Sequence, residues 1–135
     1  MDVQFTDNSV KVKGVLNNKA VQWLHEASGE LEAQTKRNSR VRTGKTKGSY
    51  QYRVDEEKLE GYVGSSEENA IWEEFGTGEY ALNGDGRKGG WAYVDENGVR
   101  HFTHGKHPNR PMYRAFAELK NQLIQRAQEI FGESE

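Results

Sequence analysis

The chain of 135 residues contains no cysteine, which excludes disulfide bonds and metal sites built from thiolates. It also lacks an apolar run long enough to cross a membrane. Its first residues do not place a basic region before an apolar one, so we expect no secretory signal. These absences predict a protein that stays in the cytoplasm of the cell that makes it.

Apolar residues are scarce too, at 33% of the chain, whereas charged residues make up 30%. This composition is polar for a globular protein and predicts a modest core. Six tyrosines, five phenylalanines and three tryptophans nevertheless argue against disorder, because disordered chains are poor in aromatic residues. Since the length suits one ordinary domain, we expect a single domain over residues 1–135, with a frayed end at about 132–135.

The charges are unevenly distributed, although the net charge is only −2. Residues 36–53 carry seven basic side chains and no acidic one, whereas residues 55–79 carry nine acidic side chains and Lys58 as the only basic one. Two interpretations remain open at this point. The two blocks either neutralise each other within one fold, or they pair head to tail between copies of the chain.

Two segments have the periodicity of amphipathic helices. The first is predicted over about residues 18–37, with an apolar stripe formed by Ala20, Trp23, Leu24, Ala27 and Leu31. The second is predicted over about residues 112–131, with a stripe formed by Phe116, Leu119, Leu123, Ala127 and Ile130. A shorter helix is expected over residues 65–75, where Ser65 and Glu68 have the spacing of a capping box.

Alternating apolar residues and turn residues predict three hairpins. In the first, Val3 and Phe5 would pair with Val12 and Val10 around residues 7–8. The second spans residues 49–64, and placing Val54 opposite Leu59 sets Arg53 opposite Glu60. The third turns at Asn97-Gly98 and would place Tyr93 opposite Phe102 and Asp95 opposite Arg100. Hairpins and helices together predict an α+β domain, in which an antiparallel sheet packs against the two longer helices.

A long glycine-rich loop interrupts this pattern at residues 76–90. Glycine is costly to order, so we expect no regular element there. Loops of this length are usually functional or disordered. We expect the middle, residues 79–88, to be mobile in the free protein and to act as a docking arm.

Three motifs that could carry chemistry do not meet its requirements. Gly44-Lys45-Thr46 ends like a phosphate-binding loop, but Ser39 stands where that motif needs glycine. His101, His104 and His107 are spaced by three and do not converge on one metal from an extended strand. Neighbouring residues of a helix do not face each other, which argues against Glu73 and Glu74 as a catalytic pair. We therefore expect no enzymatic activity, no metal and no cofactor.

Residues 36–53 are the best candidate for binding nucleic acid, which is the alternative function. Tyr50 and Tyr52 could stack on bases there. The hairpin register instead turns both side chains towards the core, and the net charge is not basic, so we expect no dedicated nucleic-acid partner.

Three stretches, in this order, resemble one family, the tail-completion or head-tail joining proteins of long-tailed bacteriophages and prophages. The first is residues 41–50. The second is residues 63–78, which ends in Glu74-Phe75-Gly76-Thr77-Gly78, the most specific of the motifs. The third is residues 89–116, which includes Arg110-Pro111 before the last helix. The chain departs from the family at Thr46, where leucine is more usual, and at residues 69–72, where the family usually has Tyr-Ala before the motif.

The resemblance implies a small α+β structural protein of the virion, assembled in the bacterial host cytoplasm and located at the neck of the tail. It implies a ring of copies, sixfold by expectation, in contact with tail tube or terminator proteins and with the head connector, and phage DNA passing nearby. It implies no membrane contact. The resemblance and the charge pattern together nominate ten partner-binding residues: Phe75, Gly76, Thr77, Gly78, Tyr80, Arg87, Trp91, Arg42, Lys45 and Lys47.

Overall fold

A computed structural model describes residues 9–40 and 44–132 of the chain. The fold is α+β, as predicted, and consists of helices and antiparallel hairpins. In chain order the elements are α1 (Ser9–Asn38), α2 (Lys45–Ser49), β1 (Gln51–Asp55), β2 (Glu60–Gly64), α3 (Glu68–Phe75), a 3₁₀ turn (Gly78–Tyr80), β3 (Trp91–Val94), β4 (Arg100–Thr103) and α4 (Pro111–Gly132). None of the described helices combines the length and the apolar character that a membrane span requires.

Helix α1 begins about nine residues earlier than predicted, at Ser9. Val10 and Val12 therefore lie in a helix, and the prediction that they form a strand is wrong; Val3 and Phe5 lie outside the described residues. The physical reason is the low cost of extending a helix. Once the packed part of α1 has formed, each further residue gains a hydrogen bond, which outweighs a short alternation of valines.

Helices α1 and α4 pack against each other in antiparallel orientation, since Asn38 at the end of α1 donates a hydrogen bond to the carbonyl oxygen of Pro111 at the start of α4. The Trp23 indole donates a hydrogen bond to the carbonyl oxygen of Leu123 at 2.8 Å. The Arg126 Nε donates to the Glu26 carboxylate at 2.8 Å, and this hydrogen bond lowers the pKa of Glu26. The predicted positions of both helices are confirmed by these two elements, apart from the longer N-terminal part of α1.

One residue of the predicted apolar stripe of α4 does not face the core. Phe116 is 51% exposed, whereas Ala115, Leu123 and Ile130 are buried. Ala115 lies one residue earlier, about 100° around the helix axis, and it takes the buried position of this turn. The large Phe116 side chain is left on the surface.

The hairpin β1–β2 packs on α1, and Tyr50 just before it is completely buried. Its register differs by two residues from the predicted one, because Asp55 pairs with Glu60 and Arg53 lies opposite Tyr62. The Asp55 carboxylate accepts hydrogen bonds from the backbone N–H groups of Glu57 and Lys58, which places the turn after Asp55. An even shift preserves the faces of both strands, so the expected inward face survives.

The hairpin β3–β4 forms a second, separate two-stranded sheet, and its register differs by one residue from the predicted one. Tyr93 lies opposite His101 and not opposite Phe102, and Asp95 is not paired with Arg100. The Asp95 carboxylate accepts hydrogen bonds from Asn97 and Val99, which stabilises a three-residue loop with Gly98 at positive φ. Because the shift is odd, the side chains exchange faces.

Two smaller expectations also change. The glycine-rich loop contains one turn of 3₁₀ helix at Gly78–Tyr80, although no regular element was expected there. Helix α3 begins at Glu68, and the Ser65 hydroxyl accepts a hydrogen bond from the backbone N–H of Glu67 at 3.0 Å, so the predicted capping box does not form. A serine that bonds two residues ahead closes a local turn and starts the helix later than a capping box would.

Replacing Ile130 tests the packing of α4. Ile130 is fully buried, so Ile130→Ala should lower the free energy of unfolding by about 2–4 kcal/mol. Ile124 lies on the same helix and is 46% exposed, so Ile124→Ala should cost less than about 1 kcal/mol. Urea denaturation followed by circular dichroism measures both, and equal losses would contradict this orientation of the helix.

Candidate functional site

Helix α3 has its polar and apolar sides reversed relative to an ordinary surface helix. Glu73 and Glu74 are each only 5% exposed. Ile71, Trp72 and Phe75 are 60%, 44% and 42% exposed. A surface helix normally buries its apolar stripe and solvates its carboxylates. The reversal makes α3 the most unusual element of the fold.

The buried carboxylate of Glu74 caps the first turn of α4. It accepts hydrogen bonds from the backbone N–H groups of Met112 at 2.9 Å and Tyr113 at 3.3 Å. These N–H groups have no partner within the helix, and the positive end of the helix dipole favours a negative charge there. Glu74 thus ties α3 to the start of α4.

The neighbouring Glu73 faces a different set of partners. Its carboxylate forms ion pairs with Arg40, at 3.2 Å, and with Lys106. Its backbone carbonyl oxygen accepts hydrogen bonds from the N–H groups of Asn109 and Arg110. The two carboxylates therefore serve separate structural contacts and do not form a pair.

Residues 76–78 continue α3 as a strap that is bonded to residues 104–106. The N–H of Thr77 donates to the carbonyl oxygen of Lys106 at 2.9 Å, and the N–H of Lys106 donates to the Thr77 hydroxyl at 2.9 Å. The N–H of Glu79 donates to the carbonyl oxygen of His104, also at 2.9 Å. The motif that carries the family resemblance therefore holds the segment between β4 and α4 against α3.

The two glycines of this strap are required by close packing. Both have positive φ, at 73° for Gly76 and 62° for Gly78. A Cβ atom on Gly78 would lie 2.2 Å from the carbonyl oxygen of His104, and Gly86 packs directly against Gly78 from the other part of the loop. Glycine here permits contact between backbones, so at least the anchor of the loop is packed, while the expected mobility of residues 79–88 stays a prediction.

The nominated partner-binding residues of this region fall into two groups. Gly76 and Gly78 are buried inside the chain, and Thr77 is half-buried. Phe75 and Tyr80 are partly exposed; the Tyr80 ring stacks on His107 with centroids 3.8 Å apart. Only the second group can touch a partner directly.

Two further nominated residues lie at the end of the loop. Arg87 is exposed, and its guanidinium lies 5.6 Å from the ring centroid of Trp91, which is half-buried. This distance is within the range of a cation–π interaction. Both side chains remain accessible enough to contact another protein.

The basic block meets the acidic block within the same chain. Lys45 forms an ion pair with Glu67 at 3.6 Å, as Arg40 does with Glu73. Lys47 is half-buried, and Arg42 lies outside the described residues. These pairs show that the basic and acidic blocks neutralise each other, at least in part, within one fold, which is the first of the two interpretations of the charge pattern.

The complete burial of Tyr50 removes it as a base-stacking residue. Desolvation by this burial raises the pKa of its hydroxyl. Tyr52 is half-buried against α1, where its hydroxyl contacts His25 at 3.3 Å. Both tyrosines of the basic block face the core side, as the sequence predicted.

A cleft of about 820 Å³ separates α2 and α3 from the β3–β4 hairpin. Asn69 and Glu73 of α3 line one wall, and Tyr93 and Asp95 of the hairpin line the other. The lining charges balance, with four basic side chains (Arg40, Lys45, Lys47 and Lys106) and four acidic ones (Glu67, Glu73, Asp95 and Glu96). The cleft thus carries no net charge that would select a small ion.

The three closely spaced histidines have separate partners. His101 bonds to Asp95 at 2.7 Å and lowers the pKa of that carboxyl, His104 contacts Glu79 at 3.2 Å, and His107 stacks on Tyr80. Within residues 9–40 and 44–132, no group of three histidine, aspartate or glutamate side chains is placed to hold a metal ion.

No protein-family model matches the chain, and no curated protein or solved structure matches it either. Sequence reasoning missed the roles of Glu74 and Lys106 and the exposed face of α3. The signal for the last was present, since Glu68, Ile71, Trp72 and Phe75 recur at helical spacing. Periodicity defines a face but does not say which face is buried.

Adding a methyl group to either of two glycines tests the strap. Gly78 and Gly84 both have positive φ, but a Cβ on Gly84 would meet nothing within 4 Å. We expect Gly84→Ala to cost about 1 kcal/mol of unfolding free energy, from the backbone conformation alone. Gly78→Ala should cost at least about 3 kcal/mol, because the methyl group also overlaps the backbone at His104. Similar losses in urea denaturation would show that residues 76–78 are not packed in this way.

Proposed function

We propose that this protein is a structural component of a bacteriophage or prophage virion, which completes the tail or joins it to the head. The observation that carries the proposal is that the three stretches resembling this family contact one another. Asn69 donates to the Thr46 hydroxyl at 3.1 Å, which joins the first stretch to the second. Thr77 and Lys106 join the second to the third. The resemblance therefore follows one connected part of the fold.

The exposed side chains of this part suit a protein that acts by contact. Trp72 and Phe75 project from a helix whose other side is held by buried carboxylates. Large aromatic side chains on a rigid support are the residues that usually dominate protein–protein binding energy. The proposal assigns the chain a binding role with no catalytic step.

The partners in this proposal are other copies of the chain in a sixfold ring, the tail tube or terminator proteins, and the head connector. The place of action is the neck of the virion, after assembly in the host cytoplasm. The nucleic-acid alternative has less support, because Tyr50 is buried and three cations of the basic block, Lys36, Arg40 and Lys45, are paired with carboxylates.

A nonsense codon in the gene tests this function directly. In a phage that carries it, heads and tails should be completed separately and accumulate unjoined, because the joint lacks one component. Electron microscopy of lysates measures the fraction of joined particles, with a suppressor host as the control. Normal virions in a non-suppressing host would refute the proposal.

Alanine substitutions separate binding from folding. Phe75 and Tyr80 are 42% and 38% exposed, so Phe75→Ala and Tyr80→Ala should each lower unfolding free energy by no more than about 1 kcal/mol. We expect them to reduce joining in a complementation assay at least about tenfold, as loss of a binding hot spot does. Ile124→Ala, at an exposed position of α4, is the matched control. Loss of stability in proportion to loss of joining would assign both aromatic residues to the core.

A further inference from the structure

We propose that copies of this chain associate head to tail, with the outer face of α3 on one copy seated against the outer face of the β3–β4 hairpin on the next. The α3 patch consists of Glu68, Ile71, Trp72 and Phe75. The hairpin patch consists of Ala92, Val94, Arg100 and Phe102. The inference deepens the proposed function and rests on it, since it names the surfaces through which a ring would form.

In the isolated chain the apolar side chains of the hairpin patch are left uncovered. Val94 and Phe102 are each 65% exposed, the highest fractions among the large apolar side chains described. Strands β3 and β4 have four residues each and pair only with each other. A lone two-stranded hairpin is marginally stable in water and gains stability when a further element covers it.

The apolar side chains of the α3 patch are left uncovered too. Ile71, Trp72 and Phe75 lie on one side of the helix because they recur three and four residues apart, and they are 60%, 44% and 42% exposed. The opposite side is occupied by Ala70, Glu73 and Glu74, which are buried. The helix therefore cannot rotate to hide its apolar side without breaking the contacts of both carboxylates.

The two patches are complementary in charge as well as apolar. Each combines an apolar centre with one exposed charge, which is negative at Glu68 and positive at Arg100. Among the described residues neither side chain forms an ion pair within the chain. Apposing the patches can therefore place Glu68 against Arg100 beside an apolar contact, an arrangement that fixes register and disfavours wrong partners. Like patches would bring equal charges together, which argues against a symmetric dimer through either one.

The directions of the patches lead to head-to-tail assembly. The 820 Å³ cleft lies between the inner side of α3, at Asn69 and Glu73, and the hairpin face that carries Tyr93 and Asp95. Val94 also lines this cleft, next to Tyr93 and Asp95, whereas the other three residues of the hairpin patch, Ala92, Arg100 and Phe102, do not. By the register, Ala92, Arg100 and Phe102 lie on the face of the hairpin opposite to Tyr93. Ala92, Arg100 and Phe102 are thus turned away from the cleft and from α3 of the same copy, so the two patches are different surfaces. A contact between different patches on successive copies closes into a ring or continues as a filament.

The size of the contact fits an assembly formed at high local concentration. Each patch exposes on the order of a few hundred Å² of apolar surface, the size of the largest patch on a typical monomer. A stable dimer interface buries about 800 Å² on each partner. A single contact of this size is weak, so copies would join effectively only where several contacts form together.

A crosslinking experiment tests the contact. Because the chain has no cysteine of its own, only the introduced thiols can react. The full chain with both Glu68→Cys and Arg100→Cys is treated with a short bis-maleimide at about 1 mM protein, a concentration at which weak association is populated. We expect a ladder of dimers, trimers and larger species. Each single variant should stay almost entirely monomeric, because its one thiol faces Arg100 or Glu68 of the neighbour. The pair Glu68→Cys and Gln125→Cys is the control, since Gln125 is an exposed residue of α4 outside both patches.

A mixing experiment adds a second readout. Ile71→Asp blocks the α3 patch and Phe102→Asp blocks the hairpin patch, so each variant alone should be monomeric in sedimentation. Mixed at about 1 mM each, a concentration at which weak association is populated, they should form a one-to-one pair through the two intact patches. Because Ile71 and Phe102 are exposed, both variants should give the same circular dichroism spectrum and melting curve as the unmodified chain.

Several outcomes would overturn the inference: no ladder and no mixed pair, an equal ladder from the Gln125 control, or as many dimers from a single-cysteine variant as from the double variant. The proposed function is tested by a different experiment, so either proposal can fail without the other. If the patches do not associate but the nonsense phage still accumulates unjoined heads and tails, this contact is refuted and the neck function stands. If the ladder forms but virions are normal, copies associate as described and the neck function is refuted.

Discussion

The burial of two adjacent carboxylates on α3 is the constraint on which the surrounding structure depends. Removing a charge from water costs several kcal/mol unless partners compensate for it. Glu74 is compensated by the first turn of α4, and Glu73 by Arg40 and Lys106. These partners come from three separate parts of the chain, so satisfying the two charges also fixes where those parts lie.

The same constraint determines what the protein shows to its surroundings. Eight residues make only about two turns of helix, and the side occupied by Glu73 and Glu74 cannot also bury the apolar residues. Ile71, Trp72 and Phe75 are therefore left facing solvent by geometry. An exposed apolar surface of this kind is typical of protein contact sites, which is why the proposed association is placed there.

The sequence predicted the parts of the fold that depend on local patterns. Helix α4 and most of α1 follow from apolar residues at helical spacing, and the two described hairpins follow from their turn residues. Their registers were wrong because Asp55 and Asp95 bind backbone N–H groups with their side chains and so choose the loop length. Such a choice between neighbouring turns differs by one or two hydrogen bonds, which residue type alone does not resolve.

The candidate site was harder to predict for a different reason. The motif Glu74-Phe75-Gly76-Thr77-Gly78 could be recognised, but its residues have opposite roles. Glu74 and the two glycines form contacts between distant segments, with Met112, Lys106 and His104, and distances between such segments are not encoded in spacing along the chain. Only Phe75 faces outwards from the motif.

This division of roles changes the meaning of the glycine-rich loop. Glycine at Gly76, Gly78 and Gly86 permits backbones to touch, so its abundance here does not indicate chain freedom alone. The loop is also bonded to the end of α3, because the N–H of Leu82 donates to the carbonyl oxygen of Phe75 at 2.7 Å. The rigid strap and the exposed aromatic residues are thus consequences of the same packing. A partner that binds there meets a surface whose shape is already formed, and it need not supply the entropy of ordering its anchor.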